Sequence, residues 1–247
     1  MPIFTIHIGD FSLSPTYYGL MYVISFILCY LSVWKRKIFS LDSIDTLLIY
    51  IFFGIILGGR LGYVFFYDFL YYFKNPLDII KFWEGGMSFH GGALGVILAV
   101  ILFAKKEKKS FYFVIDHIAS VVPIGLFFGR IGNYINKELL GKAYNGFLAV
   151  EKDGQYFFPS PLLEAFLEGF VLYFILSFAL KKKSFEGQIG SLFLIFYGIF
   201  RTFIEMFFRV PDMQIGYIFG FLTMGMILSF PMIIFGIGLY VYLRKKK

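Results

Sequence analysis

Charged side chains interrupt the long apolar stretches of this 247-residue sequence. Three of them are arginines: Arg60, Arg130 and Arg201. The acidic ones are Asp116, Glu164, Glu168 and Glu205. A charge at the centre of a membrane helix costs about 2.5–3.5 kcal/mol on insertion scales, so its presence indicates ligand binding, catalysis or pairing. Because a guanidinium donates two parallel hydrogen bonds to a phosphate, an anionic headgroup is the ligand that the arginines suggest.

Pairing or snorkelling would explain the same arginines without a ligand. An arginine near a helix end can extend its head to the headgroup region, or can pair with a glutamate of a neighbouring helix. Arg201 and Glu205 are four residues apart, as are Glu205 and Arg209, so all three can form a ladder on one helical face. For Arg60 the two interpretations stay open. Asp116, midway along an apolar stretch, is expected to be a buried structural partner.

The densest polar run is Gly129–Glu138, at the end of an apolar stretch. It combines Arg130 with Asn133, Asn136 and Glu138, and its glycines give little steric cover. Asparagine can donate to the hydroxyl or ester oxygens of a lipid while the guanidinium binds its phosphate. We therefore predict a headgroup site here.

His90 is the second candidate for chemistry, since glycines flank it throughout Gly85–Gly92. Its unperturbed pKa near 6.5 suits a general base, although a hydrogen-bonded structural histidine is the alternative. The three histidines lack metal-ligand spacing, so no metal is expected, and no cofactor is indicated. Cys29 is the single cysteine and is interpreted as a buried, unreactive thiol.

Membrane helices must position these residues. Hydrophobic residues make up 59% of the chain and charged residues 16%, against about 25% charged in soluble domains. Because a spanning helix needs about 20 apolar residues, we predict an all-α integral membrane protein with one polytopic domain, 1–247. The predicted spans are 17–34, 45–66, 87–104, 111–131, 161–180, 188–208 and 217–242.

The basic residues predict the topology. Fourteen of the 23 lysines and arginines fall in four clusters, at 35–37, 105–109, 181–183 and 244–247, which follow spans one, three, five and seven. The positive-inside rule places them in the cytoplasm, with the N-terminus outside and the C-terminus inside. The net charge of +7 is therefore attributed to topology and lipid contact, not to nucleic-acid binding.

With this orientation, polar residues from six spans are expected at one depth, in the outer leaflet. They are Tyr22, Arg60, His90, Arg130, Glu164 and Arg201. Outside the spans, 1–16 predicts a short strand or an interfacial stretch at Ile3–Ile8, and 67–86 predicts an interfacial segment. The external loop 132–160 predicts a hairpin that turns at Asp153-Gly154.

Glycines four residues apart predict close contact between helix backbones. Such spacings join Gly54, Gly58 and Gly62, and also the pairs Gly91/Gly95, Gly125/Gly129 and Gly216/Gly220.

Taken in order, these motifs resemble those of the bacterial prolipoprotein diacylglyceryl transferases. The matching stretches are Gly19–Tyr22, Gly59–Tyr63, Gly86–Gly92, Gly129–Glu138 and Tyr197–Arg201, followed by Glu205 and Arg209. The run Gly129–Glu138 carries the family signature. The chain differs from the usual family pattern at Phe158-Pro159, at Leu163 before Glu164, and at Met226.

The resemblance implies seven helices in the bacterial cytoplasmic membrane, with an active site towards the extracytoplasmic leaflet. It also implies transfer of the diacylglyceryl group of phosphatidylglycerol to the lipobox cysteine of a preprotein, with release of glycerol phosphate. The family's essential residues fall on His90, Arg130 and Arg201. Supporting positions fall on Tyr22, Asn133, Glu138, Tyr197, Glu205 and Arg209, and Glu164 is retained.

Two questions stay open at this point. Either His90 removes the thiol proton, or the arginines favour the thiolate by themselves and His90 only orients the lipid. A lipid transporter is the rival function, although transporters place polar groups near the midplane within repeated halves, and no repeat is evident here. A retinal-binding receptor would need a lysine in 217–242, which has none.

Overall fold

The computed structural model describes residues 5–8, 11–14, 16–66, 68–81, 85–211 and 216–247, with the backbone only at 6–8, 11–13, 66, 89 and 90. Its helices are α1 (Tyr17–Lys35), α2 (Leu41–Phe66), α3 (Phe69–Lys74), α4 (Phe89–Lys106), α5 (Phe111–Ala119), α6 (Val122–Ile135), α7 (Ser160–Glu164), α8 (Leu172–Lys181), α9 (Gln188–Phe207) and α10 (Met224–Lys246). A 3₁₀ helix covers Pro76–Ile80, and a π-helical turn, Ala165–Val171, joins α7 to α8. Two hairpins pair β1 (Ile6–Ile8) with β2 (Phe11–Leu13) and β3 (Val150–Lys152) with β4 (Gln155–Phe157).

Six helical stretches of the described residues are long and apolar enough to cross a membrane. They are Tyr17–Lys35, Leu41–Phe65, Phe111–Ile135, Ser160–Lys181, Gln188–Phe207 and Met224–Lys246. The all-α membrane class is therefore confirmed. The predicted span 87–104 corresponds to α4, an 18-residue helix that is not among the six and whose first two side chains lie outside the described part. The predicted basic clusters begin in the last turns of α1, α4, α8 and α10.

Two predicted spans differ from the observed helices. The span 111–131 lies within the apolar stretch Phe111–Ile135, but a break after Ala119 divides this stretch into α5 and α6, because Pro123 in the first turn of α6 favours a helix start. The span 217–242 begins too early, since α10 starts at Met224 after Thr223, whose hydroxyl accepts a hydrogen bond from the Met226 amide. Gly216 and Gly220 precede α10 with φ of 68° and 79°, so their predicted role in helix contact is wrong.

The chain forms two compact units, and the smaller one is Val33–Ile115. Its α2 and α4 cross backbone to backbone: a Cβ on Gly54 would lie 2.6 Å from the Gly95 oxygen, and one on Gly62 would lie 2.7 Å from the Gly91 Cα. The amide of Ser88 also donates to the Gly59 oxygen, at 2.8 Å. The predicted contact is confirmed for these glycines.

The larger unit combines Met1–Ser32 with Asp116–Lys247. Leu172, Leu176 and Ile189 form its buried apolar core between α8 and α9. The glycines predicted to form close contacts in α6 do not do so: a Cβ on Gly125 or Gly129 would meet no described atom within 4 Å.

Asp116 fixes the start of α9. Its carboxylate accepts hydrogen bonds from the amides of Gly187 (2.8 Å), Ile189 (2.8 Å) and Gly190 (2.9 Å), and lies 3.3 Å from Lys183 Nζ. These amides belong to the helix end that lacks intrahelical acceptors. The predicted structural role of Asp116 is confirmed.

The hairpin predicted in the external loop is confirmed. β3 and β4 pair in register from Val150–Phe157 to Lys152–Gln155. Asp153 and Gly154 connect them with φ of 52° and 77°, as a two-residue turn of type I′ requires. At the N-terminus, the predicted strand in Ile3–Ile8 is confirmed over Ile6–Ile8, and residues 1–4 lie outside the described chain.

A buried arginine–glutamate cluster as the candidate active site

Glu164, the last residue of α7, is the centre of a cluster of buried charges in the larger unit. Its Oε2 lies 2.9 Å from Arg130 Nε and 2.9 Å from Arg201 Nη1, and its Oε1 lies 3.1 Å from Arg209 Nη1. The Glu164 side chain is fully buried. One carboxylate therefore holds three guanidinium groups, from α6, from α9 and from the segment just after α9.

The ladder predicted along α9 is present. Arg201 Nη2 lies 2.6 Å from Glu205 Oε1, and the same oxygen lies 3.5 Å from Arg209 Nε. Gly225 makes room for it, because a Cβ there would lie 2.5 Å from the Glu205 Cδ. Tyr197 lies one helical turn before Arg201 and stacks on Phe193, with ring centroids 5.6 Å apart.

Glu168 completes the cluster and had been given no site role in the sequence analysis. Its carboxylate lies 3.6 Å from both Arg130 Nη2 and Arg201 Nη1, and neither oxygen has a hydrogen-bond partner among the described residues. It lies within the π-helical turn Ala165–Val171 and is fully buried. Its position four residues after Glu164 was the available signal, since residues at that spacing share a helix face.

The arginines are the accessible members of the cluster. The side chains of Arg130 and Arg201 are 17% and 14% exposed, whereas those of Glu164 and Glu168 are 0% exposed. An anion that reaches the cluster would therefore meet guanidinium groups before carboxylates. Such an array of fixed donors can stabilise negative charge on a phosphate oxygen.

The signature run continues from this cluster past the end of α6. The side-chain amide nitrogens of Asn133 and Asn136 donate to the two carboxylate oxygens of Glu138, at 3.3 Å and 3.5 Å. The backbone N–H of Glu138 donates to the backbone carbonyl oxygen of Asn133 at 2.8 Å. Tyr22 donates its hydroxyl to the Tyr18 hydroxyl at 3.2 Å. Tyr18 itself packs on Gly132, where a Cβ would lie 2.8 Å from its ring.

Arg60 and His90 belong to the smaller unit, Val33–Ile115. The buried Arg60 guanidinium donates to the backbone oxygens of Asp78 (2.5 Å), Ile79 (2.8 Å) and Gly85 (2.6 Å), with a longer bond to the Gly86 oxygen at 3.2 Å. The Arg60 guanidinium therefore links the backbone at Asp78 and Ile79, which follow α3, to the backbone at Gly85 and Gly86, which precede α4. The side chain of His90 lies outside the described residues.

A polar contact supports the same connection at its exposed surface. Asp78 accepts from the Tyr71 hydroxyl at 2.7 Å and lies 2.7 Å from Lys81 Nζ. These two neighbours, Lys81 foremost, lower the pKa of Asp78 below its usual value. Asp78 is therefore ionised at neutral pH.

Two of the positions that differ from the family pattern, Phe158 and Met226, have local explanations. Phe158 packs between Tyr144 and Phe208, with ring centroids 5.3 Å and 4.7 Å away. Met226 is buried behind the Thr223 cap. No group of three metal-ligating side chains that could hold a metal occurs in the described chain.

The fold and the cluster define an all-α membrane protein with a buried arginine–glutamate site. Comparison with known proteins makes the class specific: residues 3–242 match the family model described as prolipoprotein diacylglyceryl transferase. The chain belongs to the prolipoprotein diacylglyceryl transferase family.

Similar proteins bear the name phosphatidylglycerol–prolipoprotein diacylglyceryl transferase. The protein from Rickettsia canadensis is 48% identical over 244 residues, which cover 94% of this chain and 93% of the relative. Those from Hydrogenovibrio crunogenus and Rickettsia bellii are 44% and 50% identical, covering 92% and 81% of this chain and 89% and 78% of the relatives.

Proposed function

We propose that this chain transfers the diacylglyceryl group of phosphatidylglycerol to the thiol of a lipobox cysteine in a secreted preprotein. Its family and the names of its relatives support a transferase acting on these two substrates. The observation that carries the proposal is the convergence of Arg130, Arg201 and Arg209 on one buried cluster. Guanidinium groups held in place are suited to bind the lipid phosphate.

In the proposed reaction, the cysteine sulfur attacks the glyceryl carbon that carries the phosphate ester. The carbon–sulfur bond forms as the carbon–oxygen bond breaks, and the bonding electrons leave on glycerol phosphate. Negative charge grows on the phosphate oxygens, where Arg130 and Arg201 stabilise it. The chain needs no catalytic cysteine of its own, because the substrate supplies the nucleophile.

The thiol must also lose its proton, since a free thiol has a pKa of about 8.5. His90 is the proposed general base, because a pKa near 6.5 lets an imidazole accept a proton at neutral pH. The alternative is that the arginines favour the thiolate electrostatically and His90 orients the lipid. Substitution of His90 by glutamine distinguishes them: near-normal turnover of the folded variant would remove His90 as the base.

The other predicted site residues are proposed to bind the headgroup or hold the arginines. Glu164, Glu205 and Arg209 fix the guanidinium positions through the contacts above. Arg60 acts by positioning the backbone at Asp78 and Gly85 through its contacts with their carbonyl oxygens. The residues proposed to contact the lipid headgroup are Tyr22, Asn133, Asn136, Glu138 and Tyr197.

We place the protein in the bacterial cytoplasmic membrane with seven spans, the N-terminus outside and the C-terminus inside. The basic residues that end α1, α4, α8 and α10 support this topology, because such clusters stay in the cytoplasm. The cluster at the end of α9 then faces the extracytoplasmic leaflet. Loop 132–160 is the proposed docking region for the preprotein, and the membrane supplies the lipid.

A purified assay with phosphatidylglycerol and a lipobox peptide tests the function. The wild type should form diacylglyceryl-peptide, and a folded Arg130→Ala variant should form none. Arg244→Ala, in the exposed basic end of α10, is the matched control and should retain activity. Product from Arg130→Ala would move the phosphate site elsewhere. A wild type that forms no product but scrambles lipid in vesicles would favour the transport alternative.

A further inference from the structure

The arginine–glutamate cluster has no surplus positive charge with which to bind an anion. It contains three guanidinium groups and, within the described chain, three carboxylates that contact them, those of Glu164, Glu168 and Glu205. With all six groups ionised, the charges cancel. A phosphodiester that joins them adds one negative charge to a buried site, where an uncompensated charge is strongly unfavourable.

The three carboxylates differ in how well their charges are compensated. Glu164 is 2.9–3.1 Å from three guanidinium groups, and Glu205 is 2.6 Å from one. Glu168 has only two contacts, both at 3.6 Å, and accepts no hydrogen bond from the described residues. A buried carboxylate without hydrogen bonds is the least stabilised of the three, because donors to the charged form are what favour it.

The elements packed against Glu168 supply the charged and polar groups that surround its carboxylate. Helix α6 contributes Arg130, and α9 contributes Arg201 and the Tyr197 ring. Glu164 on α7 faces it as a like charge, and Arg209 acts from further away. Helix α8 carries no charged side chain before Lys181, its last residue. When a phosphate engages Arg130 and Arg201, both of the close cations of Glu168 are shared with a second anion.

We propose that Glu168 takes up one proton when a phosphodiester headgroup binds to Arg130 and Arg201. The proton restores neutrality, and Glu164 and Glu205 keep the guanidinium groups in place. Glu168 is thus a positioning residue that acts through the arginines, and it links lipid affinity to pH. This inference rests on the proposed function, because it requires the headgroup to bind at this cluster.

Calorimetry on the full chain in detergent tests the inference, with short-chain phosphatidylglycerol as the ligand and a short-chain phosphatidylcholine to correct for partitioning. Titrations in two buffers of different ionisation enthalpy give the number of protons taken up per lipid. At alkaline pH the wild type should take up about one proton, and its Kd should rise about tenfold per pH unit. Phosphatidylglycerol does not titrate in this range, so the proton must go to the protein.

Glu168→Gln mimics the protonated side chain at nearly the same size. It should bind the lipid with about zero proton uptake and with a Kd that no longer depends on pH. Glu186→Gln, at an exposed position in the turn before α9, should behave like the wild type.

The outcomes separate the inference from the proposed function. Lipid binding by the wild type without proton uptake would overturn the inference alone, even if Glu168→Gln failed to fold. Proton uptake that persists in Glu168→Gln would assign the proton to another group and would also overturn it. No binding of phosphatidylglycerol at any pH would overturn the proposed function as well.

Discussion

Arg209 and Glu164 are 45 residues apart in the sequence, and the Arg209 Nη1 lies 3.1 Å from the Glu164 Oε1. The backbone next to Arg209 is also fixed, since the Lys142 amide donates to the Phe208 oxygen at 2.9 Å. The end of α9 is therefore joined to the external loop and to α7 at one place. A change in this contact should be transmitted to Arg201, which shares the same carboxylate.

Glu164→Gln should destabilise the protein strongly. Removing one partner from a buried ion pair costs about 3–5 kcal/mol, and here it leaves three guanidinium groups without their shared anion. Thermal unfolding in detergent should show a clearly lowered Tm, and diacylglyceryl transfer should fall with it. Glu151→Gln, whose side chain is 49% exposed, should change stability by less than about 1 kcal/mol. Equal losses in the two variants would contradict the central role of Glu164.

The cluster shows which parts of a site a sequence can predict. The ladder from Arg201 to Arg209 was predictable, because residues four apart on a helix are neighbours whatever the fold. The contact of Arg209 with Glu164 was not, since it depends on how α7 and the end of α9 come together. Glu168 was recognised as an expensive charge, but its distance from the arginines depends on the packing of α6 against the π-helical turn.

The role of Arg60 was hidden for a different reason. Its partners are backbone oxygens, which every residue carries and no side-chain type signals. The hairpin at Asp153-Gly154 was predictable because its turn type demands those residues. Helix contact at Gly216 and Gly220 was predicted wrongly, since the spacing alone does not reveal that both have positive φ.

Asp116→Asn should weaken the start of α9. An amide can accept at only one of its two ends, so the three backbone N–H groups now bound would lose part of their acceptor. We expect a loss of about 1–2 kcal/mol, as for other helix caps. Hydrogen exchange at Ile189 and Gly190 measures it directly. Asp42→Asn, in the first turn of α2, is the control and should leave hydrogen exchange at Ile189 and Gly190 unchanged. Unchanged exchange in Asp116→Asn would contradict the capping role of Asp116.

Gly95→Ala should disrupt the crossing of α2 and α4. A Cβ at Gly95 would meet the Gly54 oxygen, so the helices would have to separate, at a cost of about 1–3 kcal/mol. Gly125→Ala is the matched control, because a Cβ at Gly125 would have no described atom within 4 Å. This substitution should be neutral or slightly stabilising. Thermal unfolding compares them. A Gly95→Ala protein as stable as Gly125→Ala would contradict the close crossing.

Arg60→Lys should lower turnover although it keeps the charge. An ammonium group cannot reproduce the planar fork that now reaches carbonyl groups at both Asp78 and Gly85. We expect kcat to fall about tenfold or more while the Kd for phosphatidylglycerol changes little, because in the proposed function Arg60 positions the backbone around the site. Arg244→Lys should leave both unchanged. A large change in lipid Kd with normal kcat would instead indicate a direct headgroup contact.

The glycine crossing of the smaller unit has a mechanical consequence. Where side chains separate two helices, the helices can shift past each other because those side chains can change rotamer. Helices α2 and α4 touch through backbone atoms, which have no such freedom. The Ser88 amide also donates to the Gly59 oxygen, so a hydrogen bond attaches the start of α4 to α2 beside this contact. Residues 88–95, including the backbone of His90, must therefore move with α2 as one rigid piece. Any displacement of the His90 backbone during turnover would therefore involve α2 as well.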